Sequence, residues 1–105
     1  MSAARSVAFD GAPLEREAPG IASRSIEVDG VRWAVVEFEP GISREEWCEE
    51  GHCGLVLEGE VVYELTAGDA LRVVAGEAFA LPEGDGHRAR AGAAGARLFV
   101  IDRAP

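Results

Sequence analysis

Short apolar runs, each closed by turn residues, recur from Ser25 to Ile101. Ser25–Val28 stops at Asp29-Gly30, a pair that tolerates the positive φ of a tight hairpin. Val31–Phe38 stops at Pro40-Gly41, and Leu55–Leu57 at Glu58-Gly59. Val61–Leu65 stops at Ala67-Gly68-Asp69, Ala70–Val74 at Ala75-Gly76, and Ala78–Leu81 at Pro82-Glu83-Gly84. His87–Ala91 runs into the small-residue loop Gly92–Gly95, and Arg97–Ile101 follows. No window sustains a 3.6-residue period, so helices cannot organise this chain. The pattern predicts an all-β sandwich or barrel of about eight strands. Ser43–Glu50 alone has helix-like composition, with Ser43 and Glu46 spaced as a capping box. Pro40-Gly41 and Gly51 would hold such a helix to about two turns.

One hundred and five residues make a single domain with one core. Residues 1–24 read as an N-terminal arm, punctuated by Gly11, Pro13 and Pro19-Gly20, with a short edge strand expected at Val7–Phe9. Residues 25–105 read as the barrel domain. A formal charge of −9 would repel a phosphate backbone, which argues against nucleic-acid binding. The longest stretch without Asp, Glu or Arg is Gly51–Leu57, too short to span a membrane. Met1–Arg5 is not followed by a long apolar segment, so no signal peptide is expected and the expected location is cytoplasmic. All ten cations are Arg, and Lys, Asn and Gln are absent, a bias expected of a GC-rich bacterial genome. Cys48 and Cys53 lie too close in sequence for a disulfide to stabilise much, so they read as free thiols or metal ligands.

The two histidines sit in contrasting settings. His52 follows the acidic cluster Glu45, Glu46, Trp47, Cys48, Glu49, Glu50. His87 follows the turn Pro82-Glu83-Gly84-Asp85-Gly86. Imidazole, thiolate and carboxylate are the usual ligands of Zn, Fe, Ni or Mn. A small barrel can bring two such stretches together, because alternate residues of each strand point inward. The plainer alternative is that His52 caps a turn, His87 fills a barrel end, and the acidic run is a solvated face. Four carboxylates cannot all turn inward without a cation to offset their desolvation.

Gly76, Pro82, Gly84 and His87 carry the spacing of the second signature of the cupin superfamily, with Ala91 where that signature has Asn. Gly41 and Leu55–Glu60 resemble the opening and the end of the first signature. The chain thus resembles a small single-domain cupin with a non-standard first motif, and the resemblance implies a double-stranded β-helix, or jelly-roll barrel. Counting from Gly41 puts Trp47 and Glu49 at the two His positions of that motif, and counting back from Gly59 puts His52 at its Glu position. Alternatively Glu46 and Cys48 take the His places. The metal ligands this implies are His52 and His87, with Glu49 or Glu46 and with Cys48 beside them. His87 would share its strand face with Ala89 and Ala91, leaving room for a ligand or for Trp47 or Phe79 opposite. Trp47, Phe79 and Ala89 are therefore the expected pocket residues. Trp33 reads as core, and Tyr63 and Arg97 as strand surface or barrel rim. The resemblance further implies a divalent metal (Zn, Fe, Ni or Mn), a small-molecule substrate or ligand, and a homodimer. Dioxygenase, isomerase or lyase chemistry is one expectation; the other is a binding or sensing cupin without metal.

Overall fold

A computed structural model describes residues 4–103 of the chain. Seven strands follow one another: β1 (Glu15–Ala18), β2 (Ile21–Val28), β3 (Val31–Phe38), β4 (His52–Leu65), β5 (Ala70–Val74), β6 (Ala78–Leu81) and β7 (His87–Arg103). All neighbouring pairs are antiparallel, in the order β1-β2-β3-β7-β4-β5, with β6 on the free edge of β4. The β2–β3 turn has φ of 51° at Asp29 and 80° at Gly30, as a hairpin turn of the expected kind requires.

The architecture rests on the β4–β7 ladder. Its register runs from His52↔Asp102 at one end to Leu65↔His87 at the other, broken between Val56 and Glu58 and between Gly59 and Val61. The breaks bend both strands, so each serves two sheets. The first half of β4 lies between β6 and the second half of β7, which also pairs β3. The second half of β4 lies between β5 and the first half of β7. The far side of that half of β7 is edged by the segment 41–48. Two sheets built on one bent hairpin form a jelly roll. Gly59 and Gly95 make the bend feasible: both have positive φ, and a Cβ on Gly59 would run into the Gly95 carbonyl.

Inward parity fills the space between the sheets. Ile21, Ala34, Val36, Phe38, Val56, Val61, Val73, Phe79, Leu81, Leu98 and Val100 form one buried cluster with Tyr63. Burying such side chains contributes about 1.5–3 kcal/mol each before conformational entropy opposes it.

Several expectations need correction. Glu58-Gly59 and Gly92–Gly95 do not end strands; they are irregularities inside two long ones, of 14 and 17 residues. Ser43–Glu50 forms no helix. Its Arg44 and Cys48 N–H groups instead donate to the carbonyls of Ala89 and His87 at 2.9 and 2.8 Å, so its backbone is satisfied by β7. The edge strand of the arm lies at Glu15–Ala18, and Phe9 belongs to a 3₁₀ turn. Trp33 lies on the outer face, edge-on to Phe99, and Tyr63 is buried at 4% exposure. No helix among the described residues is long and apolar enough to cross a membrane.

Candidate metal centre

His52 opens β4 and His87 opens β7, so they stand at opposite ends of the ladder in register. The bend brings those ends together. The two Nε2 atoms lie 2.7 Å apart, with the rings edge-on at 81°. Cys48 is fixed beside them by a reciprocal backbone pair with His87 (2.8 and 2.9 Å). One donor atom from each of Cys48, His52 and His87 lies within 4.8 Å of the others.

Behind the histidines runs a chain of charged side chains. Asp102 is directly opposite His52 in the ladder and places Oδ1 2.7 Å from His52 Nδ1. Both atoms are shielded from water, yet the approach is off the line of an aligned hydrogen bond. Asp102 Oδ2 accepts from Arg32 at 2.8 Å. Arg32 also contacts Glu17 at 3.3 Å, and Glu17 accepts from Arg44 at 2.7 Å.

Burial alone would raise the Asp102 carboxyl, but His52 and Arg32 outweigh it and hold it below the usual range. Glu17 behaves alike: burial is outweighed by Ser23, Arg44 and Arg32. Burial, then the charge of His52, lowers the pKa of His87, with Asp85 and Asp102 opposing, so a neutral imidazole is favoured. Burial raises the Tyr63 hydroxyl well above its ordinary value, against the pull of Arg44, so the phenol stays protonated.

The donor set suits a metal ion. Two imidazoles and a thiolate are borderline-soft ligands, and neutral His87 is in its ligating form. A carboxylate behind a ligating histidine fixes its tautomer and orientation. The 2.7 Å Nε2 separation is that of a hydrogen bond. Two nitrogens on one tetrahedral zinc stand roughly 3.4 Å apart, from Zn–N lengths of about 2.1 Å. The His52 ring, misaligned on its carboxylate, is the part that must turn for both to bind one ion.

The remaining expected site residues fall in three places. Phe79 and Ala89 are buried beside the centre: Phe79 packs against Tyr63 with centroids 5.0 Å apart, and Ala89 pairs Tyr63 in the ladder. Trp47 is 44% exposed, with the Arg88 guanidinium 4.3 Å from its ring, so it covers an outer arginine. Glu46 and Glu49 are exposed and outside the donor group. Sequence reasoning missed Asp102, Tyr63, Arg32, Arg44 and Glu17. The first three share parity with core residues of their strands, and that signal was present. A groove of about 390 Å³ lies at the bend, lined by residues including Ile21, Phe38, Gly59 and Gly95, and holds none of the donors.

No protein-family model and no curated protein matches the chain. Solved structures do. A protein of unknown function from Rhizobium leguminosarum bv. viciae aligns with a TM-score of 0.82 at 22% identity, over 99% of this chain and 100% of its own. An RmlC-like cupin from Shewanella frigidimarina aligns at 0.79 and 16%, over 98% and 93%. KdgF from Halomonas sp. aligns at 0.71 and 22%, over 89% and 87%. A Bacillus subtilis oxalate decarboxylase aligns at 0.77 and 19%, over 93% of this chain and 29% of its own. Identities this low establish shared architecture and leave activity to the site itself. The bent β4–β7 ladder, the two sheets it joins and these end-to-end matches give the chain the jelly-roll fold of the RmlC-like cupins.

Proposed function

We propose that the end of the barrel where the histidines meet is a small-molecule pocket holding a divalent ion on Cys48, His52 and His87. The observation that carries this reading is the convergence of three donors, from three separate segments, within 4.8 Å. The thiolate favours zinc over the harder ions. Three protein donors leave a fourth tetrahedral position for water or ligand, which catalytic zinc sites have and structural ones lack. Bound there, the ion would supply Lewis acidity to an oxygen of the small molecule. The chain's own contributions are an orienting carboxylate at Asp102, a neutral His87 and a protonated Tyr63 hydroxyl able to donate. Such a site favours redox-neutral chemistry, isomerase or lyase, over dioxygenation. The similarity to a decarboxylase named for oxalate supports a small polar ligand.

Metal content measured by plasma mass spectrometry on untagged, chelator-free protein tests this reading. The expected result is close to one zinc per chain, lost in His52→Ala and His87→Ala and weakened in Cys48→Ser. A folded wild type that carries no metal and takes none up would overturn it.

A second reading, a binding or sensing module without metal, is favoured by one observation. The Nε2–Nε2 contact at 2.7 Å already joins the two histidines as a hydrogen bond. Under that reading added zinc leaves the ring signals of both histidines unmoved by NMR.

We also propose a homodimer through the outer face of the larger sheet. There Leu55 and Leu57 are exposed, and Trp33 and Phe99 are only partly covered, with Phe9 lying against Phe99. Light scattering at micromolar concentration should give twice 11.1 kDa, and a monomer would sink the idea. Free Cys48 and Cys53 suit a reducing cytoplasm.

A further inference from the structure

The polar chain behind the histidines contains a fork of two guanidinium groups closed on a single carboxylate. Glu17 Oε1 lies 2.7 Å from Arg44, and Oε2 lies 3.3 Å from Arg32. Ser23 Oγ, on a residue 1% exposed, stands 3.5 Å from the same Arg32 nitrogen. Each arginine has support of its own. Arg32 is held by Asp102 at 2.8 Å, and the Arg44 guanidinium lies 5.8 Å from the Phe38 ring centroid. Glu17 is held less firmly. It comes from β1, a four-residue edge strand whose backbone is exposed, and the β1–β2 register shifts between Arg16 and Ala18, at Glu17 itself. Its side chain is nonetheless only 24% exposed, held against the two guanidinium groups. The fork is joined to the candidate centre: Asp102 links Arg32 to His52, and the Arg44 charge reaches the Tyr63 hydroxyl.

We propose that Arg32 and Arg44 form a binding site for the carboxylate of a small organic acid, with Glu17 as its internal occupant that the ligand displaces. A planar guanidinium fork is matched to a carboxylate, whichever chain supplies it. Exchanging one carboxylate for another leaves the local charge unchanged, so entry of the ligand leaves neither guanidinium unpaired. Once Glu17 swings away, Arg32 and Arg44 outnumber Asp102 by one charge, which gives an incoming anion a local positive field in a chain of net charge −9. The proposal rests on the reading that this end of the barrel is the pocket, and it needs no ion there.

Calorimetric titration with malonate, and with chloride as the control anion, tests it. The samples are wild type, Glu17→Ala, Glu17→Gln and Glu17→Ala combined with Arg44→Met, with folding checked by circular dichroism. Removing the occupant should raise malonate affinity about tenfold or more, the worth of one charge-assisted hydrogen bond. The added Arg44→Met change should abolish that gain. The Gln variant keeps the volume of the side chain and serves if the Ala variant does not fold. Unchanged malonate affinity in the folded Glu17 variants would overturn the proposal, and so would an equal gain for chloride. Zinc content is read in the same samples, and the titration is repeated with chelator. Failure of the metal centre then shows as absent zinc with malonate binding intact. Failure of the fork shows as zinc present with no gain in malonate affinity.

Discussion

The two ends of the barrel are built from the same two strands and do different work. At the bend, β4 and β7 meet backbone to backbone. Gly59 and Gly95 are there because a side chain would collide with a carbonyl, and the groove beside them holds none of the candidate donors. At the other end the same strands deliver His52, His87 and Asp102, and neighbouring segments add Cys48, Arg32, Arg44 and Glu17. One end sets the geometry of the chain, and the other presents its chemistry. Damage at the bend should therefore appear as lost stability with no change of ligand preference. Damage at the polar end should appear chiefly as lost binding.

The largest effect should come from Gly59→Ala. It combines a left-handed φ of 73° with a backbone collision, and a loss of about 3–5 kcal/mol is expected in urea unfolding. A loss below about 1 kcal/mol would mean the bend is softer than drawn. Next, Asp102→Ala leaves Arg32 and His52 without their shared partner. About 1–3 kcal/mol of stability should go, and zinc affinity should fall roughly 10–100-fold. Stability lost with zinc affinity unchanged would erase the distinction between the two ends.

Acid should act on the polar end. In metal-free protein, His87 binds its proton less readily folded than unfolded, so stability declines as pH falls below its ordinary value of 6.5. Asp102 and Glu17 are lowered too; their contribution is complete above the ordinary carboxylate range and disappears as pH falls through their folded values. Thermal melts from pH 7 to pH 3 should show both declines, and Glu17→Gln should flatten the lower one. The smallest effect is expected from Arg72→Ala. It breaks an exposed pair with Glu60 whose arginine is 67% exposed, and should cost under about 1 kcal/mol.

How much of this was legible in the sequence depends on what each element needed. Val31–Phe38, Ala70–Val74 and Ala78–Leu81 have the bounds that their turn residues indicate, because those turns do end strands. Glu58-Gly59 and Gly92–Gly95 have the same composition but mark bulges within strands that continue, and composition cannot tell a bend from an end. The helix-like stretch Ser43–Glu50 is extended because β7 offers its backbone partners, a tertiary effect that overrides local propensity. Cys48, His52 and His87 were visible by residue type. Asp102 was hidden although it continues the inward parity of Leu98 and Val100, because a charged residue at a strand end reads as solvated. Glu17 was beyond reach, since it sits at a register shift in β1 that the sequence does not signal.

The β4–β7 ladder also dictates an order of assembly. Its least distant pair, Leu65↔His87, already encloses two other strands, and His52↔Asp102, which closes the longest loop, is expected to form last. Such non-local pairing makes folding slow, on the order of milliseconds to seconds. The two histidines lie on the pairs expected to form first and last, so their meeting should complete the process. In a refolding experiment, zinc capture should lag behind burial of the apolar core, followed by release of a hydrophobic dye. Capture that runs ahead of burial would mean that the ion directs the chain rather than arriving last.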